Sequence, residues 1–273
     1  MDDAFGDRMK AYEMAEAGRK LMTDRIPVIA RLDGKNFSKF TKGLARPYDE
    51  RLSRLMIYVT RYLVEWSGAA CGYTQSDEIT LGWYQNDFKS QMMFDGRVQK
   101  ITSVTAAVAS GAFVIGLKDN IPEKADQVVA FDCRAWNVPN LDEGANCFLW
   151  REQDATKNSI SMAARHYYSH NQLHEKTGPE MQEMLFQKGV NWNGYPNFFK
   201  RGSYVQKRTV TRKFTTEELD ALPPLHNARK TPDLEFERTE YNVLDIPPLS
   251  KIVNRPGLLF FGEAPVLAAE TAV

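Results

Sequence analysis

The order in which strand-like and helix-like apolar patterns alternate between residues 26 and 136 restricts the fold more than any other feature. Residues 26–32, Ile-Pro-Val-Ile-Ala-Arg-Leu, are β-branched and apolar, as in a buried strand, and deliver Asp33-Gly34 at the strand's end. Asp49 stands where a helix N-cap is expected. Leu52, Leu55, Met56, Val59 and Leu63 then recur at helical spacing, and Gly68 stops the run. Two short strand-like runs, 71–75 and 79–84, flank Ser76-Asp77-Glu78 and predict a hairpin with an acidic tip. A second helical pattern passes through Ile101, Val104, Val108, Ala112 and Phe113, and 128–136 reads as a further strand. The order β-α-β-β-α-β predicts an α+β fold, a ferredoxin-like antiparallel sheet with helices on one face. In that arrangement the first strand lies beside the hairpin, so Asp33 and Asp77 can meet despite their distance in sequence.

An opening helix is predicted over 7–24, mostly helix over 140–190, and a loop followed by a strand over 191–215. The prolines at 223, 224, 232, 247, 248, 256 and 265 predict that 221–273 is an irregular extension on the surface of a unit spanning 1–220. The 273 residues suit one large domain, and the 35 basic and 35 acidic side chains leave no net charge that would point to a polyanion. No apolar run reads as the roughly 18–20 residues needed to span a bilayer, and the acidic N-terminus lacks the pattern of a signal peptide. Cys71, Cys133 and Cys147 are odd in number and widely spaced, as buried free thiols are. A cytoplasmic protein without a membrane partner is the expectation.

Hard cations such as Mg²⁺ take oxygen ligands, commonly one or two carboxylates completed by water and substrate phosphates. Two such ions can clamp the attacking and leaving oxygens of a phosphoryl transfer. Asp33 and Asp77 converging from adjacent strands supply what that chemistry requires, and Gly34 can add a backbone carbonyl. Spacing alone does not select this reading, since an aspartate at a strand end is more often a turn or cap residue.

The segments Arg31-Leu-Asp-Gly-Lys-Asn-Phe-Ser-Lys-Phe40 and Tyr73-Thr-Gln-Ser-Asp-Glu-Ile79 resemble the paired signature segments of the tRNA(His) guanylyltransferase family. The resemblance continues in order through Gly96-Arg-Val-Gln-Lys100, Phe131-Asp-Cys-Arg134 and Phe148-Leu-Trp-Arg-Glu-Gln-Asp154, and fades near Lys200-Arg-Gly-Ser203. It implies a polymerase-palm-like catalytic domain that builds RNA in the 3′→5′ direction. ATP adenylylates the tRNA 5′-phosphate; the 3′-hydroxyl of an incoming GTP or other NTP then attacks and AMP leaves. By position, Asp33, Asp77 and Glu78 become the catalytic carboxylates, with two Mg²⁺ ions on Asp33, Gly34 and Asp77. Lys35, Asn36, Phe37, Lys42, Arg46, Ser76, Arg97 and Lys100 become the nucleotide and triphosphate contacts; Arg46 stands where the family usually has lysine. The family also implies a homotetramer.

Where eukaryotic members carry His-Ile-Asn-Asn, this chain has Thr156-Lys-Asn-Ser159. That departure resembles the bacterial and archaeal-type relatives, and implies repair of truncated tRNA 5′ ends in preference to guanosine addition on tRNA(His). Between Glu183 and Glu217 no acidic residue occurs, while Lys188, Lys200, Arg201, Lys207, Arg208, Arg212 and Lys213 alternate with seven aromatics. Cations neutralise phosphates and rings stack on bases, so Lys200, Arg201, Lys207 and Arg208 are candidate tRNA contacts. His166, His170 and His174 recur along an expected helix, but its outer pair would stand about 12 Å apart by helical rise, too far for one zinc ion. The alternative class is a palm-fold nucleotide cyclase or synthase, using the same carboxylates without RNA.

Overall fold

Helix α1 (Glu50–Ser67) shows how local chemistry sets the element ends. Asp49, extended at φ −111, turns its carboxylate onto the Arg51 amide, and Gly68 leaves the helix at φ 68, a conformation open to glycine at little cost. Between them Leu55, Met56, Val59, Thr60, Leu63 and Val64 are buried, the face predicted by spacing. The computed structural model describes residues 18–86, 92–231 and 233–268, with 8–9, 11–12 and 14. The expected opening helix over 7–24 falls partly outside these residues, and Lys20 forms an isolated bridge to Arg97.

Six antiparallel strands form one sheet: β1 (Val28–Gly34), β2 (Cys71–Gln75), β3 (Glu78–Trp83), β4 (Phe131–Asn137), β5 (Ser203–Lys213) and β6 (Glu235–Val243). Their order, β4-β1-β3-β2-β5-β6, contains the split βαββαβ unit in its first four positions. Asp33 lies within β1, one pair from its end, because register extends the strand through Gly34. Successive residues face opposite sides. Val28, Ala30, Leu32, Ile79 and Leu81 therefore meet α1 and α2 (Val98–Asn120) in one core. Ile29, Cys71 and Tyr73 meet Phe148 of α3 (Leu141–Tyr167) and Leu258–Phe260 of α5 (Arg255–Phe261) in another. Helix α4 (Gly178–Gln187) packs on the far end of α3. The two helices of the split unit thus share one face, and the additional helices cover the other.

Three expectations change. Residues 221–273 are not wholly irregular: β6 completes the sheet, and Leu249, Ile252 and Leu258–Phe260 are core residues. Prolines obscured this, although Pro256 sits in the first turn of α5, where a proline is tolerated. By length and composition α2 is apolar enough to cross a bilayer, but Ile101, Thr105, Ala109, Ala112, Phe113 and Leu117 bury against α1 and the sheet. His166 and His170 do not share a helix, since α3 ends at Tyr167 and a new turn begins at His170.

Candidate active site

The pleat and register bring three carboxylates into one row. Asp33 of β1 is the partner of Glu78 on β3 and of Asp132 on β4, so their side chains share the face under α3. Adjacent strands stand about 4.8 Å apart. Asp77 stands at the hairpin turn beside this row, its carbonyl accepting the Gly34 amide at 3.1 Å. Ser76 holds a left-handed φ of 55 and its hydroxyl donates to Asp77 Oδ1 at 3.0 Å. A Cβ on Gly34 would fall 2.2 Å from the Phe37 ring, so only glycine lets the chain turn here against its own core. Burial raises the pKa of Asp77; the Ser76 hydroxyl opposes the shift, and the Asp33 and Glu78 charges add to it. Among the described residues no group of three or more His, Cys, Asp or Glu side chains converges to hold a metal ion. Two carboxylates and a carbonyl are the donor set available to a hard cation, which usually takes its remaining ligands from water and phosphate.

A cleft of about 260 Å³ opens at this point, lined by Ser76, Asp77, Glu78, Arg151, Asn158 and Arg165. A second hollow of about 340 Å³ shares Met162 and Arg165 with it and adds Arg46. Arg46 and Ser76 also border a smaller hollow beside Tyr48 and Asp49. Arg151 and Arg165 therefore line the cleft with Asp77, and Arg46 borders the hollows beside it. Glu78 is not free: Arg151 donates to it and, at 3.0 Å, to Asp154. In the row below the carboxylates, Arg31 pairs with Arg134 across β1 and β4, and Arg31 lies 5.8 Å from the ring centre of Trp150. Arg31, Asp132, Arg134, Arg151, Asn158 and Arg165 were not singled out from sequence. For Arg31, Asp132 and Arg134 the available signal was their alternation with Leu32, Phe131 and Cys133, since period two puts them on the site's face; Arg151, Asn158 and Arg165 recur at helical spacing along α3.

Several site candidates lie elsewhere. Arg97 and Lys100 stand at the start of α2, where Leu21 and Arg19 bond to Gly96 and Val98. That is the end of the sheet marked by the Val28–Asn137 pair, about 17 Å from Asp33 at the rise of a strand. One chain cannot bring them to the Asp33–Asp77 pair. Phe37 is a core residue, with Phe40, Phe113 and Phe131 at ring-centre distances of 5.3, 5.4 and 5.5 Å. It is not free to stack on a nucleotide. Asn36, at a left-handed φ of 60, starts the turn over Phe37–Phe40. Lys35 is exposed and its amide bonds to the Ala130 carbonyl at 2.8 Å; exposed Lys42 offers its own carbonyl to Lys124 at 2.9 Å.

The basic aromatic stretch divides. Phe199 and Tyr204 are buried, and Trp192, Tyr195 and Phe198 pack around them or their neighbours. Phe214 stacks on Phe236 at 4.1 Å. Arg212 pairs with Glu218 and Glu240, and Lys213 with Asp233, so acids from later in the chain neutralise this end. Lys200 and Arg201 line a separate hollow of about 560 Å³ with Lys157 and Trp192. Lys200 already bonds to the Asn193 carbonyl at 2.7 Å. Lys207 is exposed on β5, and Arg208 bonds to Gln206 at 2.8 Å.

A split antiparallel sheet that presents two carboxylates at a bonded strand end and hairpin, with arginines facing them, defines a palm-like nucleotidyltransferase. Residues 6–139 match the family model described as tRNAHis guanylyltransferase. A bacterial tRNA(His) guanylyltransferase-like protein solved with ATP is 39% identical; the match covers 74% of this chain and 88% of that one, with a TM-score of 0.70. A bacterial protein of the same description solved with GTP is 33% identical over 91% of this chain and 95% of that one, also at 0.70. The tRNA(His) guanylyltransferase of Schizosaccharomyces pombe is 28% identical over 224 residues, 77% of this chain and 83% of its own length. The chain belongs to the tRNA(His) guanylyltransferase family of nucleotidyltransferases.

Proposed function

We propose that the protein is a template-dependent 3′→5′ nucleotidyltransferase that activates a tRNA 5′ end with ATP and adds NTPs to it, repairing truncated 5′ ends. The observation that carries this is the approach of Asp33 and Asp77, joined through the Gly34–Asp77 backbone bond, with Asp77 lining a cleft that Arg151 and Arg165 also line and Arg46 bordering the adjoining hollow. Both chemical steps concentrate negative charge on phosphate oxygens, which fixed cations stabilise.

The donor set suits Mg²⁺. It is all oxygen, and the neighbouring Asp33 charge raises a pKa at Asp77 already lifted by burial, a field that a divalent cation relieves. Asp33, Asp77 and the Gly34 carbonyl would hold the two ions, which when bound neutralise the phosphates and favour ionisation of the attacking hydroxyl. The chain's own arginines then hold the triphosphate and the RNA end in place. Arg97 and Lys100 reach such a site only from another copy of the chain, which agrees with a homotetramer. Thr156-Lys-Asn-Ser159, in place of His-Ile-Asn-Asn, supports repair.

Purified protein incubated with 5′-truncated, 5′-monophosphorylated tRNA, ATP, Mg²⁺ and labelled NTPs is expected to extend the 5′ end with template-matched nucleotides, and Asp77→Ala to abolish it. Extension confined to full-length tRNA(His) would reassign the substrate. NTP turnover indifferent to any added tRNA would instead favour a cyclase or synthase.

A further inference from the structure

Among the described residues Arg151 on α3 is the one buried lysine or arginine, with a side chain 10% exposed. Its Nη2 donates to Glu78 Oε2 and, at 3.0 Å, to Asp154 Oδ2, and its guanidinium lies 4.7 Å from the centre of the Trp150 ring. Asp154 in turn accepts from Asn158 at 3.2 Å. Glu78 follows Asp77 directly in the chain and stands opposite Asp33 in register. Glu78, neighbour of Asp77 in the chain and of Asp33 across the sheet, is therefore bolted to α3 by a charged hydrogen bond, the strong kind. Without that bond the hairpin tip that carries Asp77 loses its side-chain tie to α3.

We infer that Arg151 is a positioning residue for the metal pair. Acting through Glu78, it fixes the hairpin tip so that Asp77 meets Asp33. This rests on the reading of Asp33 and Asp77 as the metal carboxylates. Arg151 touches the ligands' neighbour and not the reacting atoms. Partners of this kind usually alter metal affinity about 10–100-fold when removed.

The test is Mn²⁺ binding to the full chain, followed by the electron paramagnetic resonance of free Mn²⁺, with a thermal melt of each variant. Arg151→Met is expected to weaken binding about tenfold. Arg151→Lys, which keeps the charge and loses the planar fork, is expected to recover part of that loss. Adding Arg151→Met to Glu78→Gln is expected to change affinity little, since the coupling is already broken. Unchanged affinity in a folded Arg151→Met protein, or losses that multiply in the double variant, would overturn the inference. If Arg151→Met lacks a native melt, Arg151→Lys alone and in the Glu78→Gln background decides by the same comparison. Asp77→Ala binding Mn²⁺ as tightly as the wild type would instead remove the metal reading itself.

Discussion

Asp77 is held in a place that disfavours its own charge. Burial lifts its folded-state pKa above the unfolded value. The ionised form is therefore what folding penalises: the penalty is absent below the unfolded carboxylate range, near pH 4, and is complete above the folded pKa. Asp77→Asn is expected to raise the melting temperature at neutral pH, with the gain fading as pH falls through that interval. Activity should fall on the order of a hundred- to thousand-fold. Equal melts of the two proteins at pH 7 would contradict the buried placement. Phe37 makes the opposite case, a site candidate that is structural. Phe37→Ala is expected to destabilise the fold by about 3–5 kcal/mol in denaturant titrations while the folded protein binds nucleotide unchanged. A selective loss of nucleotide affinity would restore the binding role. Nothing in the segment around Phe37 distinguishes these roles, because burial depends on Phe113 and Phe131, far away in the chain.

At the scale of elements, the ends of α1 were legible because an N-cap aspartate and a left-handed glycine act within a few residues. Strand identity was legible for the same local reason. Register was not, since pairing depends on partners distant in sequence, and register is what puts Asp132 beside Asp33. Strand direction is legible in the sequence: the chain descends β3 away from the hairpin tip, and α2 begins at the end of the sheet opposite Asp77. That geometry removes Arg97 and Lys100 from the pair within one chain. The turn after β1 is a second local constraint. Gly34→Ala places a Cβ 2.2 Å from the Phe37 ring, and is expected to cost about 1–3 kcal/mol, as overpacking does. A chemical denaturation midpoint equal to that of the wild type would show that Phe37 yields freely.

For the whole molecule, charge and chain order in sequence mislead about space. The acid-free stretch between Glu183 and Glu217 meets acids at its far end, Glu218 and Asp233 from the segment that follows it and Glu240 from β6, so its basic character belongs to the part before Arg212, where Lys200 and Arg201 share a hollow with Lys157. The Pro-rich tail closes the second core, where the buried Glu152 carboxylate accepts Tyr204 Oη and the Leu249 amide, each at 2.9 Å. A chain ending at Val243 loses Leu249, Ile252 and Leu258–Phe260, each contributing about 1.5–3 kcal/mol of apolar burial. Against a typical total of about 5–15 kcal/mol, it is expected to show no cooperative melt. A native-like melt in that truncated chain would make the tail dispensable.

On the proposed function, Asp33 and Asp77 together drive chemistry at an RNA 5′ end. Its most direct measurement is label transfer from α-³²P ATP to 5′-monophosphorylated tRNA with no other nucleotide present. The predicted result is a labelled AMP joined 5′-to-5′ to the tRNA, released by a pyrophosphatase that cleaves such caps, and absent with Asp33→Ala or Asp77→Ala. Label at the tRNA 3′ end, or unchanged transfer by either variant, would contradict it.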